Sequence, residues 1–145
     1  MENRFLFKAK TCNGEWVIGF LHCKDVKWYI SNKEGSPYAF EVRPDTICQC
    51  TGLTDKNGNL IWESDIIKDL FSDVCAQIKY GSYQSCFDST KTEHVGFYVG
   101  WSGKYTKRYR KDLGYWINMV DAEVVGNAFD NPELCWERNN SGKNY

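Results

Sequence analysis

Apolar and polar residues alternate in short runs along this chain, and turn-forming residues separate the runs. That rhythm belongs to an all-β fold. Phe5 to Cys12 is the first run, and Asn13-Gly14 after it is a two-residue type I′ hairpin signal. Glu15 to Leu21 returns as a strand, with Trp16, Ile18 and Phe20 on one face and Val17 and Leu21 on the other. Lys27 to Ser31 predicts a third strand, carrying Trp28 and Ile30 on one face. Tyr38, Phe40 and Val42 alternate on a fourth, which Arg43-Pro44-Asp45 ends. Ile47 to Gln49 continues as a short fifth piece.

Thr51 to Asn59 carries Gly52, Asp55, Asn57 and Gly58, so it reads as a joint that closes in a tight turn at Asn57-Gly58. Beyond it, Leu60–Trp62, Asp65–Phe71, Val74–Tyr80, a bent Gly81–Phe87, His94–Trp101, Leu113–Val120 and Glu123–Ala128 predict strands. Val74, Ala76, Ile78 and Tyr80 share one face, as do Phe97, Val99 and Trp101. Asn131-Pro132-Glu133 predicts a helix start, with Asn at the N-cap and Pro at N1, and the turn runs through Leu134 and Trp136. The expected architecture is mainly β, α+β at most. It has an antiparallel β unit and its connecting turn at 1–59, a small closed barrel at 60–137 and a mobile tail at 138–145. Closure is expected because it removes exposed sheet edges.

Composition narrows the function classes. Eighteen Lys and Arg against 19 Asp and Glu leave a net charge of −1, which excludes a protein that coats polyanions with a broadly cationic surface. Aromatic residues make up 16% of the chain, which argues against disorder. No window approaches the roughly 20 apolar residues of a membrane-spanning helix. The opening MENRFLFKAKTC is not a signal peptide, so a cytoplasmic protein is expected.

Cys12, Cys23, Cys48, Cys50, Cys75, Cys86 and Cys135 are an odd set, which suits reduced thiols better than a disulfide framework. A zinc site from Cys12, His22, Cys23, Cys48 and Cys50 would depart from the usual paired ligands two to four residues apart. Cys48-Gln49-Cys50 has one residue between its thiols, an arrangement expected to turn them to opposite faces. No metal and no cofactor is therefore expected, and no CxxC supports redox chemistry.

The stretch Asn13-Gly14-Glu15-Trp16-Val17-Ile18-Gly19-Phe20-Leu21 resembles the GEWVYGYL segment of the YopX family of bacteriophage and prophage proteins. Val42 to Ile47 resembles that family's V-x-P-E-T-V. Residues 51–67, TGLTDKNGNLIWESDII, resemble its TGLxDKNGKxIYEGDIV. Val124 to Leu134 resembles its EVIGNIYENPEL. The matches run in family order over about residues 4–134. The resemblance implies an SH3-like barrel in the C-terminal half and a phage or prophage accessory protein in a bacterial host. It implies no catalytic residues. Two positions depart from the pattern. The family's Glu-Gly-Asp is Glu63-Ser64-Asp65 here, and if that Gly takes a positive φ, Ser64 must accept some strain. The usual aromatic before Thr-Gly-Leu is Cys50.

The candidate chemistry is modest. Glu63 and Asp65 could form a carboxylate pair, but a turn in which Asp65 accepts backbone N–H groups is the favoured reading. His94 has Asp88, Ser89 and Thr90 nearby, yet there is no Gly-x-Ser-x-Gly elbow, no Walker loop and no dinucleotide motif. No enzyme is expected.

Residues 104–111 are more suggestive, because Lys104, Lys107, Arg108, Arg110 and Lys111 interleave with Tyr105 and Tyr109. Cations beside aromatics suit phosphate contacts and base stacking. Against this, residues 60–145 hold 10 basic and 12 acidic side chains. Trp101, Tyr105, Tyr115 and Trp116 suggest a surface for a protein partner or a second copy, since alternation puts Tyr115 and Trp116 on opposite faces. The leading expectation is thus a non-catalytic protein-interaction module. The alternative is a nucleic-acid-binding protein using Lys104, Lys107, Arg108, Tyr109, Arg110 and Lys111.

Overall fold

A computed structural model describes residues 3–32, 38–69, 74–84, 92–101 and 110–134. The chain divides into two compact units, Met1–Leu53 and Thr54–Tyr145. The boundary between them falls just before the Asp55–Asn59 turn. The predicted tail at 138–145 lies outside the described residues.

In the first unit, β1 (Phe7–Lys10), β2 (Trp16–Lys24), β3 (Lys27–Asn32) and β4 (Ala39–Val42) form an antiparallel meander, and β5 (Cys48–Thr54) lies beside β1. Lys10 pairs with Trp16 and Lys24 with Lys27, so both hairpins are tight. Asn13-Gly14 is not a two-residue turn. Thr11 donates its N–H to Glu15 O at 2.9 Å, Gly14 donates to Thr11 O at 2.9 Å, and Gly14 has φ +83°. This is a three-residue loop with its bulge glycine left-handed. The turn that does have two central residues at positive φ is Asp25-Val26, at +53° and +60°. Its partners Lys24 and Lys27 are the last pair of the β2–β3 ladder.

Ala9, Ile30 and Val42 are the core of this unit, with Phe7, Val17, Leu21, Trp28 and Ile47 packed around them. Val17 and Leu21 therefore face inward, and Ile18 on the opposite face is 47% exposed. Thr11 bridges to Val42, and Arg43 donates its N–H to Lys10 O at 2.8 Å. These contacts bring the end of β4 back to the end of β1. Buried Thr46 fastens the same corner: its Oγ1 accepts the Lys10 N–H at 2.9 Å and donates to Arg43 O at 2.8 Å.

In the second unit, β6 (Leu60–Trp62) leads into β7 (Asp65–Lys68), and a four-stranded antiparallel sheet has the order β10-β7-β8-β9, with β8 Cys75–Tyr83, β9 His94–Gly100 and β10 Glu123–Asn127. Among the described residues no barrel is closed by hydrogen bonds, so the expected closure is not found. One expected strand is also a helix: Leu113–Asn118 is α1, not part of a strand at 113–120. Aromatic and β-branched residues gave this segment its β character. Leu113, Trp116 and Ile117 are its buried residues, at helical i, i+3, i+4 spacing, and packing on the sheet decides the outcome. They join Ile61, Ile67, Val74, Ala76, Ile78, Val99 and Trp101 in one core. Val74, Ala76 and Ile78 are buried as predicted, whereas Tyr80 is 54% exposed where β8 runs past the core.

Candidate functional site

The family-like segment 51–67 builds turns. Asp55 is buried, and its Oδ1 accepts the N–H groups of Asn57 and Asn59, both at 2.9 Å. Its Oδ2 accepts the Val124 N–H at 3.1 Å and Asn59 Nδ2 at 3.4 Å. Burial pushes this carboxyl upward. The four hydrogen bonds outweigh that and hold it below its ordinary value of 3.8. Gly58, at φ +80°, closes the same kind of three-residue loop as Gly14, with Asp55 N–H on Asn59 O at 2.9 Å.

Asp65 also serves a turn. It is buried, and its Oδ2 accepts the Trp62 N–H at 2.9 Å. Ser64 has φ +73°, the strain expected where the family carries Gly. Its N–H reaches Ile78 O at 2.8 Å, and its carbonyl accepts the Ala128 N–H at 2.9 Å. The Glu63-Ser64-Asp65 segment is thus built into the backbone network of the sheet.

Asn127 Oδ1 accepts the N–H groups of Phe129 and Asp130 at 3.0 and 2.9 Å. Helical backbone begins at Glu133. The Asn131 side chain turns back to accept the Asn127 N–H at 3.2 Å, instead of reaching forward as an N-cap. Trp136 lies outside the described residues.

The cysteines and histidines are spread out. Cys12 and Cys23 are exposed at opposite ends of β2. Cys48 and Cys50 are buried on one face of β5, which corrects the expectation of opposite faces: residues i and i+2 of a strand point the same way. Cys48 Sγ donates to Thr46 O at 3.3 Å, and Cys50 Sγ accepts the Gly52 N–H at 3.4 Å. Among the described residues no group of three or more His, Cys, Asp or Glu converges as metal ligands would. His94 stacks on Tyr83 at 5.3 Å, and Asp88, Ser89 and Thr90 lie outside the described residues.

Of the basic–aromatic segment, Arg110 and Lys111 are described. Lys104, Tyr105, Lys107, Arg108 and Tyr109 lie outside the described residues. Arg110 is the hub of an aromatic cluster. Its carbonyl accepts two indole N–H groups, from Trp101 at 2.9 Å and from Trp116 at 2.6 Å. The two indole rings are 4.8 Å apart and both side chains are buried, so Trp101 and Trp116 belong to the core and not to an open surface. The Arg110 guanidinium lies 5.1 Å over the Tyr115 ring, within cation–π range. Tyr115 meets Trp116 edge-on at 5.4 Å.

Tyr115 and Trp116 do face different ways, as expected, but because helix neighbours are about 100° apart and not through strand alternation. One helical turn beyond Tyr115 is Met119, which donates its N–H to Tyr115 O at 2.9 Å and is 75% exposed. Sequence reading missed Met119. A strand assignment cannot put it beside Tyr115, whereas an i, i+4 reading would have.

The fold and this cluster define a mainly β protein of two units with an aromatic–basic surface patch beside its single short described helix. A match over residues 4–135 shows that the chain belongs to the YopX protein family. Comparison with curated proteins found no match. No helix among the described residues is long and apolar enough to cross a membrane.

Proposed function

We propose that this protein is a non-catalytic interaction module that binds a protein partner through Arg110, Tyr115 and Met119. The observation that carries the reading is the anchored geometry of the patch. Arg110 lies over Tyr115 while its own backbone is held by the buried Trp101 and Trp116 indoles. Arg, Tyr and Met are the residue types enriched where proteins meet, and a rigid anchor lowers the entropy cost of binding. On this reading the second unit works as SH3-like modules do, through aromatics outside its core. The setting we propose is that of a phage or prophage accessory protein in the bacterial cytoplasm. The test is capture of a partner from bacterial lysate by the immobilised protein. A folded Tyr115→Ala/Met119→Ala variant should lose the bound protein; an unchanged set of bound proteins rules this surface out.

The second reading is nucleic-acid binding by the 104–111 segment, supported by the Arg110 guanidinium lying over Tyr115. It predicts salt-sensitive binding that a Lys107→Ala/Arg108→Ala/Arg110→Ala variant loses uniformly across sequences.

A further inference from the structure

The chain carries Asn-Gly twice, at Asn13-Gly14 and at Asn57-Gly58. Both pairs sit in the same kind of three-residue hairpin loop. Gly14 donates its N–H to Thr11 O at 2.9 Å, and Gly58 donates to Asp55 O at 3.0 Å. The two glycines have φ +83° and +80°, and both asparagines are exposed. Asn-Gly closes readily to a cyclic imide, because glycine has no side chain to keep its nitrogen away from the asparagine carboxamide. With dipeptide and backbone matched, the surroundings of each asparagine set the two sites apart.

Asn57 is tied from two sides. Asp55 Oδ1 accepts the N–H groups of Asn57 and Asn59, both at 2.9 Å, and Asn57 Nδ2 donates to Glu123 Oε2 at 3.4 Å. In the first loop Thr11 stands where Asp55 stands in the second, and its Oγ1 makes no hydrogen bond among the described residues. The Asn13 carboxamide has only the weak contact from Cys12 Sγ to its Oδ1 at 4.0 Å. The outside tether of that loop, Arg43 Nη2, goes to Cys12 O at 3.2 Å and leaves the Asn13 side chain able to turn. Charge differs as well. Arg43 offsets the exposed Glu15 in the first loop, whereas the second sets Asp55 and Glu123 against Lys56, 3.8 Å from Glu123. Loss of the glycine amide proton makes an anion, which a nearby cation favours and carboxylates oppose.

We propose that Asn13 is a modification site, converted spontaneously to aspartate and isoaspartate, and that the Asp55–Asn59 loop holds Asn57 against the same reaction. The Gly14 nitrogen attacks Asn13 Cγ. The N–Cγ bond forms, the Cγ–Nδ2 bond breaks, and ammonia leaves with the glycine proton. Water then opens the imide. Attack at Cγ gives aspartate; attack at the main-chain carbonyl carbon gives isoaspartate, whose backbone runs through Cγ. One water is consumed, one ammonia is released, and nothing is oxidised. In the folded chain the Gly14 N–H must first leave Thr11 O, a local opening at a loop tip. The same step at Gly58 must also break the Asp55 and Glu123 bonds to Asn57. The product places a new carboxylate in the loop that Arg43 tethers, and isoaspartate lengthens the β1–β2 connection by a backbone carbon. This site is separate from the interaction patch proposed above and does not rest on it.

The test is timed incubation of the full-length chain in mildly alkaline buffer, followed by alkylation, digestion and peptide mapping that separates asparagine, aspartate and isoaspartate forms. Asn13 should convert several-fold faster than Asn57 in the folded chain. In urea, where neither loop is held, the two rates should draw together. Asp55→Ala and Glu123→Ala, each shown to be folded by circular dichroism, should speed conversion at Asn57 and leave Asn13 unchanged. Glu123→Ala removes an exposed contact and keeps the buried packing, so it serves if Asp55→Ala does not fold. Equal or faster conversion of Asn57 in the folded wild type overturns the proposal, and so does an unmodified Asn13 over a time in which the urea-unfolded chain reacts. A gap between the two sites that persists in urea would assign the difference to neighbouring sequence and overturn it too. An unchanged Asn57 rate in the folded variants does the same.

Discussion

The Asp55 carboxylate accepts the backbone N–H of Val124 at 3.1 Å, and so ties a hairpin loop to β10 at 69 positions' separation. The same loop reaches β10 through Lys56 and Asn57, whose side chains lie 3.8 and 3.4 Å from Glu123 Oε2. Those outer contacts are partly exposed and contribute little. Asp55 is buried, so its bonds matter more.

Asp55→Ala should therefore destabilise the protein by about 2–3 kcal/mol at pH 7, since it removes charge-assisted bonds from part-buried N–H groups. The pH dependence has a definite sign. A carboxyl held below its ordinary 3.8 in the folded state stabilises above that value, and the contribution is lost as pH falls through the folded-state value. Urea unfolding at pH 7 and pH 3 checks both. The gap between wild type and Asp55→Ala should narrow at pH 3.

Trp116→Phe removes one of the two indole donors on the Arg110 carbonyl and leaves a gap beside Trp101. A loss of roughly 1–3 kcal/mol is expected, with Trp101 still holding the carbonyl. Thermal unfolding followed by circular dichroism measures it. A loss comparable to that of an exposed substitution would mean that the 2.6 Å contact contributes little.

Val26 is 94% exposed at φ +60°, a poor conformation for a β-branched residue. Val26→Gly turns Asp25-Val26 into Asp-Gly, a sequence that type I′ hairpins favour. No packing is lost, so stability should rise by about 0.5–1 kcal/mol once the entropy cost of glycine is subtracted. A lower melting temperature in the variant would contradict the turn geometry.

Tyr83 is stacked on His94 and Tyr98 at 5.3 and 5.0 Å. Burial, and after it the charge of Asp112, pushes its phenol above the ordinary 10.0. The neutral phenol is the form this site favours, so its stabilising contribution is complete below pH 10 and is lost as pH rises through the raised value. Absorbance titration at 295 nm, with Tyr83→Phe as the reference, should show Tyr83 ionising above 10.0. Asp112→Asn should lower its midpoint part of the way.

Much of this molecule was legible along the chain. Strand periodicity identified the β1–β4 meander and the buried faces of β8 and β9, because a period of two is a local property. The glycine usually found at Ser64 pointed to strain there if that glycine takes a positive φ, and Ser64 does have φ +73°. Two features were not local. Leu113–Asn118 reads as strand by residue type, and only its packing on the sheet shows that Leu113, Trp116 and Ile117 must share a helical face. Asn13-Gly14 signals a two-residue turn, but the pairing of Thr11 with Glu15 gives the loop three residues and leaves the two-residue turn to Asp25-Val26.

The role of each surface was also beyond the chain order. Trp101 and Trp116 looked like exposed binding aromatics until their indoles were found converging on one carbonyl in the core. Lys8 and Lys10 stand over Trp16 only because the ladder sets β1 against β2. The sequence alone determined the family and the strand rhythm, since both reside in short-range residue order. Tertiary structure decided which aromatics are buried and which stand beside cations, because burial and cross-strand neighbours depend on residues far apart in the chain.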